Sequence, residues 1–122
     1  ICEITLISVI NLIMRTAEIK ITVELDDQNM PENILWESTD AQTKDQVPVK
    51  SMILALWDHN YKNSMRIDLW TKDMPVDDMK MFLHQILISL SNTYERATGE
   101  EDVAQWMEEM AEEFAQKAAI KM

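Results

Sequence analysis

The stretch Ser64–Gly99, SMRIDLWTKDMPVDDMKMFLHQILISLSNTYERATG, decides the fold, because the spacing of its apolar residues changes partway along. Met65, Ile67 and Leu69 alternate with Arg66, Asp68 and Trp70, the period-2 pattern of a half-buried strand. After Lys72-Asp73-Met74-Pro75, apolar residues fall at Met79, Phe82, Leu83, Ile86, Leu90, Tyr94 and Ala97, three and four apart as one helix face requires. One strand is therefore expected to hand its dry face directly to one long amphipathic helix. Pro75 suits the first turn, where a missing N–H costs nothing, and Asp77 and Asp78 complement the positive end of the helix dipole. Gly99 fits the left-handed position that closes a helix.

Downstream, Glu100, Glu101 and Asp102 open a second helix whose stripe is Val103, Trp106, Met107, Met110, Phe114 and Ala118, with Lys117 and Lys121 at its negative pole. So short a turn demands an antiparallel helical hairpin. Upstream, Ile19, Ile21, Val23 and Leu25 alternate with polar residues, Asp26–Asn33 carries turn chemistry, and Ile34 and Trp36 mark a second strand. Residues 18–38 thus read as a β-hairpin. Ser38–Lys50 is polar, contains Pro48 and has no periodicity, which predicts a surface loop. Ser51–Trp57, SMILALW, is apolar on both faces and leads through Asp58–Asn63 into the Met65 strand, so it reads as a central strand of a second hairpin.

The expected fold is α+β: a four-stranded antiparallel sheet of two hairpins, with the C-terminal pair of antiparallel helices packed on one face. Residues 14–122 are expected to form a single domain. Residues 1–13, ICEITLISVINLI, read as an extraneous or disordered segment, too short to cross a bilayer and without a basic leader or small-residue cleavage site, so translation is expected to begin at Met14.

Composition limits the partners. Lys and Arg total 11 against 22 for Asp and Glu, a formal charge of −11. Such a field repels phosphate backbones and anionic lipid, which argues against nucleic acid and against membrane insertion, and attracts a basic protein patch. Apolar residues at 47% give a globular profile. The one cysteine, Cys2, allows neither an internal disulfide nor a thiolate zinc site and fits a reducing compartment.

Arg66, Asp68 and Trp70 share the second face of their strand, with Trp36 and Trp57 expected nearby. Trp and Arg are enriched at binding hot spots, so these five residues form a candidate docking surface. The competing reading is a cross-strand ladder that only steadies the sheet. Asp68, Asp73 and His84 form the alternative, a small metal-dependent or acid-base hydrolase. Against it, His59 and His84 have no HExxH spacing, the aspartates match no EF-hand loop, and one Gly in the whole chain leaves no phosphate-binding loop. The expectation is therefore no catalytic residues, no cofactor and no metal. Self-association as a homodimer, through a sheet face or an edge strand, is a third reading.

The runs EIKITVELDDQNMPENILWESTD, SMILALWD, RIDLWTKDMPVDDMKMFLHQ and NTYERATG together resemble the gliding motility protein GldC family of Bacteroidetes bacteria, over about residues 14–118. The resemblance implies a small soluble protein without a signal peptide, and a cytoplasmic location is the expectation. It implies an accessory of the surface-gliding machinery that is not an enzyme of known type. Its partner would be another gliding-motility protein, with a lipoprotein and the type IX secretion apparatus as the neighbours such proteins work beside. It carries over no catalytic residues.

Overall fold

The structure, a computed structural model, describes residues 14–40 and 45–120. The expectations for residues 1–13, including Cys2, and for Lys121 lie outside the described residues. The chain divides into two compact units, one ending at Lys72 and the other beginning at Asp73.

Among its described residues the first unit holds five strands: β1 (Ile19–Leu25), β2 (Pro31–Ser38), β3 (Val47–Val49), β4 (Ser51–Asp58) and β5 (Asn63–Trp70). Both expected hairpins are present, β1 antiparallel to β2 and β4 antiparallel to β5. They do not merge into one four-stranded sheet. β1, β2 and β3 make a three-stranded sheet, while β4 and β5 make a separate two-stranded one. The correction turns on β3, which lies in the segment read as loop and pairs Ile34 with Val49 and Trp36 with Val47. Three residues are too few to display a period, and Pro48, which lacks an N–H, suits a short strand at a sheet edge. Only Lys50 separates β3 from β4, so the first part of one extended run serves β2 and the rest serves β5.

Both tight turns use the same device. The Asp26 carboxylate accepts hydrogen bonds from the Gln28 and Met30 amides at 2.8 and 3.0 Å. That of Asp58 accepts from the Asn60 and Tyr61 amides at 2.9 and 3.1 Å. A short acceptor side chain that bonds its own turn frees the chain to reverse, and Asn29 and Lys62 take the left-handed conformation that each reversal needs. Ile34 is the one large side chain of the described residues that is fully buried, at 1% exposure.

Asp26 is fastened a second time. Lys72, just past β5, holds its other oxygen at 2.5 Å, and together with the Met30 and Gln28 amides lowers the Asp26 pKa to about 2. A carboxylate whose folded pKa lies below its unfolded value near 4 stabilises the fold above that value and loses the contribution as pH falls toward 2. The stability gap between the parent and Asp26→Asn should therefore be widest above about pH 4 and close on acidification toward 2. Urea titrations at stepped pH would read it; a gap that stays constant across that window would show that the carboxylate charge plays no part.

The second unit is the expected helical hairpin, α1 (Val76–Thr98) and α2 (Glu101–Lys117). Gly99 closes α1 in the left-handed conformation at φ 76°, its amide bonded to the Glu95 carbonyl at 2.8 Å. The turn is tied further. The Tyr94 hydroxyl donates to Glu100 at 2.6 Å, the Thr98 hydroxyl donates to the Tyr94 carbonyl at 2.8 Å, and the Glu100 amide donates to the Thr98 hydroxyl at 3.1 Å. The Glu100 carboxylate, by accepting the hydrogen bond from the phenol, favours its protonated form and raises the Tyr94 pKa. The distinctive run NTYERATG is thus turn chemistry.

The most buried residues of α1 are His84 and Ser91, and those of α2 are Ala104, Ala111 and Ala115. Lys80, four residues before His84, donates to the Ala118 carbonyl at 3.0 Å and so marks that side of α1 as the one turned to α2. Small residues at the seam let two helix backbones approach closely. The apolar stripe Met79, Phe82, Leu83, Ile86 and Leu90 runs along another side of α1, partly exposed, with Leu90 at 48%.

Candidate docking surface

The β4–β5 register assigns the candidate residues to faces. Trp57 lies opposite Ser64, Ala55 opposite Arg66, Ile53 opposite Asp68 and Ser51 opposite Trp70. Directly opposed residues share a face, so Trp57, Arg66, Asp68 and Trp70 stand together as expected. The two tryptophans are 64% and 55% exposed and bracket the charged pair, about 20 Å apart along the hairpin at the usual strand rise. Trp36 belongs to the other sheet, half-buried, opposite Ile21 and Val47.

The reverse face carries Met52, Leu54, Leu56, Met65, Ile67 and Leu69. It was expected to be dry, yet Met65 is 50% and Ile67 53% exposed. β4, expected to be central, pairs along its length with β5 alone among the described residues, and Leu56 is 52% exposed. The physical reason is strand number: among the described residues the sheet has no third strand to widen it, and its apolar residues stay partly exposed. Such a ribbon is only marginally stable by itself, so its surface has association energy to gain.

The hydrolase residues are distributed differently. Asp68 stands on β5 in the strand unit, whereas Asp73 opens the helical unit and His84 is buried on α1 at 7% exposure. Asp58 holds a turn, Asp77 and Asp78 occupy the first turn of α1, and Asp102 accepts from the Val103 amide at 3.0 Å. Among the described residues no group of three His, Cys, Asp or Glu side chains could hold a metal ion. No described helix is long and apolar enough to cross a membrane. The outer side of α2, with Glu108, Glu109, Glu112 and Glu113 between Gln105 and Gln116, is a solvated acidic face.

Fold and surface together define a small α+β protein whose prominent exposed feature is an aromatic-bearing β-ribbon. A family model described as gliding motility-associated protein GldC-like matches residues 31–120, from the start of β2 to just beyond α2, and the chain belongs to that family. No curated protein and no solved structure matches the chain.

Proposed function

We propose that this protein is a non-enzymatic interaction module of the bacterial gliding machinery, acting in the cytoplasm by docking another gliding-motility protein on the β4–β5 ribbon. The observation that supports this reading most is the exposure of Trp57 and Trp70 on one face, with Arg66 and Asp68 between them. Large rigid aromatics flanking opposite charges combine apolar burial with orientation, which is what a specific docking site needs. Trp36, half-buried in the neighbouring sheet, serves this role by steadying β2 rather than by direct contact. The formal charge of −11 favours a partner with a basic rim around an apolar centre.

The paired substitution Trp57→Ala and Trp70→Ala leaves Arg66 and Asp68 in place. Aromatic hot spots typically cost 2 kcal/mol or more each, so recovery of the cognate motility component from a gliding bacterium should fall by about tenfold or more, with circular dichroism unchanged. Undiminished recovery of every component by the folded double variant would show that this face is not the docking surface.

A further inference from the structure

We propose that β5 is a dimerisation edge: two copies of this chain join antiparallel through β5, centred on Ile67, so that two β-ribbons become one four-stranded sheet. The inference is independent of the docking reading, since it concerns the purified protein alone.

Three observations lead to it. β5 is eight residues long and, among the described residues, pairs with β4 only; β2 comes near it without joining its ladder. The phase of its free edge follows from the Thr71 amide, which donates to the Lys50 carbonyl at 2.8 Å. Because hydrogen-bonded pairs alternate along an antiparallel ladder, the backbone groups of Leu69, Ile67 and Met65 point to β4, and those of Ser64, Arg66, Asp68 and Trp70 point away from it. Finally, Arg66 and Asp68 are exposed, and neither takes part in an ion pair among the described residues.

The charges select both the occupant and its register. With Ile67 on the two-fold axis, Arg66 lies opposite Asp68 of the second copy, and Asp68 opposite its Arg66. Ser64 then meets Trp70, and Met65 meets Leu69. Arg66–Asp68 and Ser64–Trp70 are the pairs whose outward backbone groups can exchange hydrogen bonds, Met65–Leu69 lies in a non-hydrogen-bonded position between them, and the symmetry forms each pair twice. The next permitted register in one direction sets Arg66 against Arg66; in the other direction it sets Asp68 against Asp68. Like charges directly opposite are destabilising, so the Ile67-centred register, which sets both charges against their opposites, is favoured over both of its neighbours. Natural edges are often blocked by charge of a single sign, but here the opposite signs at alternate outward positions admit one partner orientation and exclude its neighbours.

Light scattering on the full chain should give a dimer for the parent. Arg66→Asp alone and Asp68→Arg alone each place like charges opposite, and each should weaken dimerisation by about tenfold or more. The double exchange, Arg66→Asp with Asp68→Arg, keeps the net charge and restores opposite signs, so it should recover the dimer. In a Cys2→Ser background, Ile67→Cys should form a disulfide-linked dimer on mild oxidation, because a residue on the axis faces itself in a non-hydrogen-bonded pair at about 4.5 Å between Cα atoms. Met65→Cys, which faces Leu69, should not. A parent that stays monomeric at tens of micromolar would overturn the proposal, as would a dimer insensitive to both single reversals or one in which Met65→Cys crosslinks as well as Ile67→Cys.

Discussion

Replacing Ile34 with Ala should destabilise the strand unit by about 2–5 kcal/mol, the cost of emptying a buried aliphatic site that cannot fully collapse. Ile34 is 1% exposed and lies between Val23 of β1 and Val49 of β3, so its side chain is central to the three-stranded sheet. Ile34→Val, removing one methylene, should cost about 0.5–1.5 kcal/mol. Urea unfolding followed by circular dichroism reads both. A loss below about 1 kcal/mol for the Ala variant would mean that the unit is not organised around this residue.

The second large effect belongs to the helical unit. Ala111 is 0% exposed in the α1–α2 seam, and Leu has nearly the same helix propensity as Ala, so Ala111→Leu tests packing without disturbing the helix itself. Forcing three further carbons between closely approaching backbones should cost about 1–3 kcal/mol or splay the helices apart. Gln105→Leu, on the exposed acidic side of α2, serves as the control and should stay within about 0.5 kcal/mol of the parent. Equal tolerance of both changes would contradict the close seam.

The alternating positions of β1 and β5, the turn aspartates, the Pro75 and Gly99 boundaries and both helices were legible because each rests on local chemistry that tertiary context seldom overrides. The shared face was legible for the same reason: once Trp57 and Ser64 flank a tight turn, pairing puts Trp57 on the same face as Arg66, Asp68 and Trp70. What escaped was non-local. β3 is three residues long, and only its pairing with β2 defines it. The division into two sheets follows from β3 and could not be read without it.

The helical seam escaped for a different reason. Hydrophobic periodicity points to the most apolar side of α1, through Met79, Phe82 and Ile86. Close helix approach instead selects the side bearing His84 and Ser91, opposite a line of alanines. Hydropathy reports transfer from water, whereas a seam is chosen partly by how near two backbones can come. The spacing of Ala104, Ala111 and Ala115, seven and four residues apart, was the available signal for this line.

The most direct test of the docking account is made in the gliding cell, with a photoreactive phenylalanine analogue replacing Trp57 in one strain and Gln105 in another. Illumination should attach another gliding-motility protein to the chain from position 57 and leave position 105 without that adduct. Equal capture from both positions, or capture from neither, would contradict a docking function for the β4–β5 ribbon.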